Sequence, residues 1–301
     1  MSLWHCRTGS SRGIPAPLVC LLLFAPGAAT AQSWLPGEGI GAVTVDFTDI
    51  LNKKHYLPDG REVDVGHTRT RILAVGGSYG LTDRLMVRAA LPLVQSRYYG
   101  PRPHPTEVDD GDEHTTVTDL QVALHFQWLT DPVAIAPYIA AVVPTHDYET
   151  LGHAAPGKGL EEQWVGFYAA TSLHEWIPRS YVQGRYNYAF VERVAGVSHD
   201  RSNFDAEAGW YVNPSWSLRL LVSWQDTHGG IPVPIPPSDP LYPYHDQLGA
   251  ESFLNLGGGI SWAVDRRLGV YAIYMHSLRG SNGHKVEHQV SLGVGYGLGP
   301  R

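Results

Sequence analysis

The chain has 301 residues, of which 43% are hydrophobic and 17% charged, and its formal net charge is −7 at pH 7. This acidic balance argues against nucleic acid as a partner. The only two cysteines, Cys6 and Cys20, fall in an N-terminal leader. We therefore expect a mature chain without disulfides, thiol catalysis or cysteine metal sites.

Residues 1–31 have the features of a secretory signal peptide. Arg7 and Arg12 give a positive start, residues 18–25 (LVCLLLFA) are apolar but too short to span a bilayer as a helix, and residues 29–31 (ATA) give a cleavage pattern. We predict two parts, a signal peptide over 1–31 and one mature domain over 32–301. Without the two leader arginines (22 − 2 = 20), the mature chain has 20 basic and 29 acidic side chains, a net charge of −9.

The mature chain alternates apolar and polar residues with a period of two, which predicts β-strands. In residues 216–225 (WSLRLLVSWQ), for example, Trp216, Leu218 and Leu220 share one face with Val222 and Trp224. No apolar stretch approaches the roughly 20 residues of a transmembrane helix. Twelve such segments are predicted, at about 38–49, 68–80, 85–98, 118–129, 133–146, 164–176, 181–192, 202–212, 216–227, 251–262, 267–277 and 286–298.

The connections between these segments alternate in length. Those after the even-numbered segments are tight, as in residues 130–132 (TDP) and 213–215 (NPS), whereas those after the odd-numbered segments are mostly long and polar. Outer-membrane barrels have short periplasmic turns and long outer loops. The sequence therefore predicts an all-β, antiparallel, up-and-down transmembrane β-barrel of about 12 strands in the outer membrane of a Gram-negative cell. A soluble β-sandwich is the alternative.

Aromatic residues near the strand ends support the membrane interpretation, because amphipathic rings gather at lipid–water interfaces. Two levels are expected. The level near the short turns contains Tyr79, Trp128, Trp176, Tyr181, Trp210, Tyr211, Trp216, Trp262 and Tyr296, and the level near the long loops contains Tyr98, Tyr148, Trp164, Tyr188, Phe204, Trp224, Phe253 and Tyr274.

Several turn and strand patterns resemble a known family. These are residues 79–85 (YGLTDRL) with 90–94 (ALPLV), residues 118–121 (TDLQ) with 129–138 (LTDPVAIAPY), residues 144–148 (PTHDY) and residues 212–218 (VNPSWSL). Together they resemble the outer-membrane transporters associated with the meta-pathway of phenol degradation, over most of the mature chain.

The resemblance implies a porin-like barrel that passes small, often aromatic or hydrophobic, compounds. The chain departs from the family at His146, where glycine is expected, and at its end, where Leu298 stands in place of the usual terminal aromatic residue. Barrel assembly machinery reads that last strand, so this machinery is an expected partner.

The inward face of each strand is the expected solute pathway, because outward faces must be apolar. Both signs of charge occur there, so the side chains either line a small selective pore or pair and close it. The two interpretations stay open. The predicted lumen residues are Arg88, Asp119, Gln121, His125, Arg185, Asn187, Asp205, Glu207, Arg219 and Gln225.

The proline-rich loop 231–244 (IPVPIPPSDPLYPY) can hold an extended shape without a sheet partner. We expect either a stiff exposed loop or a lid in which Tyr242 and Tyr244 contact solute.

The acidic loop 107–114 lacks EF-hand spacing and is interpreted as a solvated outer loop. The histidines are dispersed along the chain and contain no zinc-binding motif, so we predict no metal site and no cofactor.

The leading functional hypothesis is a channel or transporter for small solutes, without covalent chemistry. The alternatives are a lipase-like barrel enzyme, which needs serine, histidine and a polar orienting group at the lipid-facing rim, and a closed structural or surface-recognition barrel. Expected partners are outer-membrane lipid, lipopolysaccharide and a small-molecule solute.

Overall fold

A computed structural model describes residues 33–100 and 107–299. The predicted signal peptide, with Cys6 and Cys20, lies outside the described residues. The described chain is a succession of antiparallel strands: β1 (Gly41–Tyr56), β2 (Glu62–Val63), β3 (His67–Thr82), β4 (Leu85–Tyr99), β5 (His114–Val117), β6 (Asp119–Phe126), β7 (Ala134–Pro144), β8 (Glu162–Ser172), β9 (Ser180–Val191), β10 (His199–Tyr211), β11 (Trp216–Gly229), β12 (Ser252–Ala263), β13 (Leu268–Ser281) and β14 (Gly283–Leu298).

Consecutive strands pair in order, and the last strand pairs with the first, which closes the sheet into a barrel. The closing pair runs from Gly41 opposite Leu298 to Tyr56 opposite Gly283. The two-residue β2 pairs only with the end of β1, whereas β5 and β6 both pair with β4 and act as one wall strand interrupted at Thr118. The described residues therefore form an up-and-down barrel of twelve wall strands, which confirms the predicted fold class.

The two faces of each strand differ as the period of two predicts. In β6, Leu120, Val122, Leu124 and Phe126 are exposed, while Ala123 and His125 are buried. The same outward apolar surface recurs around the wall, for example at Val45, Phe47, Leu218 and Leu292. A continuous exposed apolar belt of this kind is the surface of a membrane protein. Among the described residues, no helix is long and apolar enough to cross a membrane.

The strands on the long-loop side extend further than the sequence predicts. The first strand ends at Tyr56 rather than near residue 49, and β13 and β14 are joined through Asn282 alone, where an eight-residue connection was expected. Beyond the apolar belt the outward side chains are polar, as in Asp49 and Lys53 of β1. The alternation of apolar and polar residues that marks a strand in the sequence is therefore lost in these strand ends, although hydrogen-bonded pairing with the neighbouring strands continues.

The predicted aromatic levels are partly wrong. Tyr79, Trp128, Trp176, Trp210 and Tyr296 are exposed on the outer surface at the short-turn end. Tyr181, however, is 9% exposed and faces inward, and at the other end Tyr98 is 2% exposed and Trp164 shares the inward side of β8 with Glu162. Alternate residues of a strand point to opposite faces, so the position of a residue along its strand, its parity, decides the direction of its side chain. These three rings stand at inward-facing positions, that is, they have inward parity.

Candidate functional site in the barrel lumen

A row of polar side chains crosses one side of the lumen. His125 on β6 stands opposite Tyr138 on β7, Tyr138 opposite Gly166 on β8, and Gly166 opposite Asn187 on β9. His125 stacks on Tyr138 with 5.1 Å between ring centroids, and Tyr168 lies 5.0 Å from Tyr138. We call His125, Tyr138, Tyr168 and Asn187 the lumen row.

The lumen row contains polar atoms without protein partners. Among the described residues, neither ring nitrogen of His125, nor the Tyr138 hydroxyl, nor either amide atom of Asn187 has a hydrogen-bond partner. His125 is 1% exposed and Asn187 is fully buried, so the lumen is packed at this level. Buried polar groups are almost always satisfied in folded proteins, and unsatisfied ones point to an unseen water or ligand.

The glycine in the row is required by close strand approach. A Cβ atom at position 166 would lie 2.3 Å from the carbonyl oxygen of Tyr186. Gly166 therefore lets β8 and β9 approach and brings the side chains of Tyr138 and Asn187 to neighbouring positions.

Paired charges occupy the lumen beside the row. Arg185 donates to the Asp205 carboxylate, and Arg219 donates to Glu207. Glu207 also accepts from the Tyr181 hydroxyl at 2.5 Å and from Gln183 at 3.1 Å. Because Glu207 is 1% exposed, Arg219 neutralises a fully desolvated charge.

A second ionic layer lies nearer the long loops. Arg201 on β10 donates to Glu162 on β8 at 2.5 Å, and the Trp164 indole N–H donates to the same carboxylate at 2.8 Å. Asp119 at the start of β6 accepts from the Tyr148 hydroxyl at 2.5 Å. This layer ties the lumen wall to the loop over residues 145–161.

The segment before β1 enters the lumen from the short-turn end. Leu35 is 8% exposed and packs in a cluster with Met86, Tyr138 and Tyr168. Gln127 holds the segment, since its side-chain oxygen accepts from the Leu35 N–H at 2.8 Å and its amide donates to the Ser33 carbonyl at 2.9 Å. We call residues 33–38 the plug segment, because Leu35 packs inside the barrel against Tyr138 and Tyr168 of the lumen row.

Two loops cover the opposite mouth. Leu160 from the 145–161 loop and Ile231 and Leu248 from the 230–251 loop form a buried cluster with Ala189 and Val191 of β9. The proline-rich loop is thus packed against the barrel wall at this mouth. Tyr244 packs against this cluster, whereas Tyr242 lines a cavity of about 500 Å³ between the loops and the ends of β1 and β4.

A buried lysine lies beneath these loops. The Lys158 ammonium is 3.5 Å from the His199 ring, and Gln247 donates to the Lys158 carbonyl at 2.7 Å. Burial, assisted by the nearby Arg201 charge, lowers the pKa of Lys158 to about 8.

The ten predicted lumen residues all have inward parity. Arg185, Asn187, Asp205, Glu207 and Arg219 are brought together on β9 to β11, and His125 adjoins them through the lumen row. Arg88, Gln121 and Gln225 also face inward, but they have no hydrogen-bond or ion-pair partner within the part of the chain that the structure describes. Sequence reasoning missed Glu162, Arg201, Tyr138, Tyr168 and the plug segment.

Two further groupings were not predicted. His55, His153, His245 and His284 come from distant parts of the chain and converge at the outer mouth. On the outward side of β10 and β11, the hydroxyl of Ser202, which is 6% exposed, lies 2.8 Å from Nε2 of His228. Strand register can be estimated from sequence, but these contacts depend on diagonal neighbours and loop packing.

Comparison with known proteins supports the fold. No protein-family model matches the chain, and no curated protein matches it. An outer membrane channel from Pseudomonas putida F1 overlays with a TM-score of 0.69 at 13% sequence identity, over 91% of this chain and 100% of the other. The fold is a closed β-barrel like that of this channel. The fold implied by the family resemblance is confirmed.

Two other solved structures overlay less well. The translocator domain of the autotransporter NalP from Neisseria meningitidis has a TM-score of 0.49 at 13% identity, covering 87% of this chain and 89% of the other. A deltaS2S3 mutant of the TodX monoaromatic hydrocarbon channel has a TM-score of 0.45 at 10% identity, covering 94% and 98%.

Proposed function

We propose that the protein is a gated outer-membrane channel for small solutes that combine an aromatic or hydrophobic body with a polar group, and that it is not an enzyme. The observation that carries the proposal is the lumen row, in which His125, Tyr138 and Asn187 present polar atoms that no described residue satisfies. Aromatic faces and unsatisfied donors and acceptors at one level match a solute with both characters. The barrel on which this chain overlays is itself an outer membrane channel.

Passage requires movement, because the lumen is packed at the row and covered at both ends. The plug segment closes one end and the loops over 145–161 and 230–251 close the other. Loops and terminal segments are the low-stability parts of such folds, so they are the elements expected to move. The inward charge pairs then line the pathway and favour solutes of small size and low charge.

The test uses one hydroxyl in the row. Tyr138→Phe removes a buried hydroxyl that has no partner, so we expect unchanged or slightly higher stability. If the hydroxyl binds passing solute at about 1 kcal/mol, uptake of a small phenolic solute into proteoliposomes falls about fivefold.

The matched control is Tyr271→Phe. The Tyr271 hydroxyl donates to Asp46, so its removal leaves a buried carboxylate oxygen without its partner and lowers stability instead. Equal phenolic uptake by wild type and Tyr138→Phe, in protein shown to be folded, would remove the assigned role of the row.

The outward Ser202–His228 pair supports a second candidate function, an acyl hydrolase at the lipid-facing rim. Asp200 stands opposite His228, but its carboxylate accepts from the Val191 N–H at 2.9 Å and the Tyr188 hydroxyl at 3.3 Å. A serine–histidine pair needs a third group that orients the imidazole. Phospholipid hydrolysis that disappears in Ser202→Ala would establish the enzyme; the channel proposal expects no hydrolysis by either protein.

We also propose lipopolysaccharide and the barrel assembly machinery as partners. Arg69, Arg71 and Arg97 lie on the outward faces of β3 and β4 toward the long-loop end, where phosphate groups of the outer leaflet would meet them. Asp49 pairs with Arg69 at 2.9 Å and with Arg71 at 3.4 Å.

For the barrel assembly machinery, the relevant feature lies at the other end of the barrel. Leu298 of the last strand faces outward and is 46% exposed, which supports recognition of that strand during insertion.

A further inference from the structure

Four histidines converge at the outer mouth of the barrel from four separate segments. His55 lies at the end of β1, His284 at the start of β14, and His153 and His245 in the two covering loops. The ring centroid of His55 is 4.4 Å from that of His284 and 5.3 Å from that of His153, and His153 is 6.0 Å from His245. These residues line the 500 Å³ cavity.

Three of these rings offer nitrogen atoms close enough to share one ion. One ring nitrogen from each of His55, His153 and His284 lies within 4.8 Å of the others. In a tetrahedral zinc site, with Zn–N bonds of about 2.0–2.1 Å, ligand nitrogens are roughly 3.3 Å apart. Small rotations of the three rings therefore convert the cluster into a trigonal set of ligands with one open position.

The nitrogens of two rings lack other partners. Among the described residues, both ring nitrogens of His55 and Nε2 of His284 are buried without a hydrogen bond. Buried imidazole nitrogens are normally hydrogen bonded, so a neutral structural cluster leaves this arrangement unexplained. A metal ion at the centre would bind one of these nitrogens from each ring.

The third ring is already oriented by a carboxylate. The Asp246 carboxylate accepts from Nδ1 of His153 at 2.8 Å. A carboxylate hydrogen bonded to the outer nitrogen of a ligating histidine fixes its tautomer and raises its basicity, as in many zinc sites.

The charges around the cavity favour a cation. Asp64, Asp246 and Glu251 line it, against one lysine, Lys158. Imidazole ligands select Zn²⁺, Ni²⁺ or Cu²⁺ over Ca²⁺ or Mg²⁺, which prefer oxygen.

We propose that His55, His153 and His284 bind a first-row divalent transition-metal ion, with Zn²⁺ the best match to three imidazoles and an open position, and that Asp246 orients His153. The ligands connect both strands of the closing β1–β14 pair to the 145–161 loop. A bound ion therefore fastens that loop to the barrel rim. The proposed site departs from the expectation of no metal, which rested on the spacing of histidines along the chain alone.

The test is calorimetric titration of Zn²⁺ into the full folded protein in detergent, after treatment with a chelator. We expect one saturable site. His55→Ala or His284→Ala should weaken binding by more than the about 10- to 100-fold that loss of an outer-shell partner causes, and Asp246→Asn should fall within that range. His174→Ala, in an exposed turn at the opposite end, is the matched control and should bind as wild type does.

Co²⁺ provides a readout that does not depend on transport. Bound in a tetrahedral histidine site, it gives visible absorption bands, which should appear in wild type and His174→Ala and be absent in His284→Ala. The heat-modifiable gel shift identifies folded protein, and if one alanine variant does not fold, the other histidine variant is read. Absence of Zn²⁺ binding to folded wild type, or binding that survives both His55→Ala and His284→Ala, would overturn the site. Because binding is measured without solute, this outcome is separate from failure of the channel proposal.

Discussion

Replacing Arg219 with methionine should lower the free energy of unfolding by about 3–5 kcal/mol. The substitution leaves Glu207 as a buried charge, with only the Tyr181 hydroxyl and the Gln183 amide as partners. Removing one member of a buried ion pair is costly for this reason, whereas removing both can be neutral or stabilising. The double variant Arg219→Met/Glu207→Leu should therefore recover most of the lost stability.

The measurement is urea unfolding of the protein in lipid vesicles, followed by tryptophan fluorescence. Arg61→Met is the matched control, because Arg61 pairs with Asp59 at 2.6 Å on the exposed surface. An exposed pair contributes at most about 1 kcal/mol, so this variant should unfold close to wild type. A double variant no more stable than Arg219→Met alone would show that the pair does not account for the loss.

Shortening Leu35 to alanine should open the short-turn end of the lumen. Leu35 holds the plug segment against Met86, Tyr138 and Tyr168, and a buried Leu→Ala change costs at least about 2 kcal/mol. If that energy holds the plug segment in the lumen, the fraction of molecules in which the segment has left the lumen rises about 30-fold. Channel openings in planar bilayers should become more frequent by a similar factor, without a change in single-channel conductance.

Ile40→Ala is the control for this prediction. Ile40 follows the plug segment, but its side chain is 39% exposed and lies outside the buried Leu35 cluster, so its shortening should not change the opening frequency. Gln127→Leu should act like Leu35→Ala, because it removes the hydrogen bonds to Ser33 and Leu35. Unchanged openings in both Leu35→Ala and Gln127→Leu would show that residues 33–38 do not gate the lumen.

Much of the barrel could be predicted from sequence because two physical constraints repeat in every strand. The outward face must be apolar and the inward face must not, so parity alone placed Asp119, Arg185 and Glu207 inside. The prediction of the aromatic levels was wrong where the aromatic character of a residue was given more weight than its position along the strand. Tyr181 was assigned to an interface although it shares its face with Gln183 and Arg185.

The features that close the lumen could not be predicted in the same way. Leu35 lies in a proline- and glycine-rich segment without periodicity, and its position is fixed by a hydrogen bond to Gln127, 92 residues away. The histidine cluster joins His55 to His284 across the closing strand pair, which the linear spacing does not show. Long-range packing of loops and termini, rather than strand pattern, determines both.

The most direct test of the channel proposal is solute uptake by proteoliposomes that contain the wild-type protein, with the folded state confirmed by a heat-modifiable gel shift. Uptake of a small phenolic solute should exceed that of an equally small, strongly charged solute, and Leu35→Ala should raise it while Tyr138→Phe lowers it. Folded protein that passes neither solute, and that stays impermeable in Leu35→Ala, would contradict the account and leave a closed structural barrel.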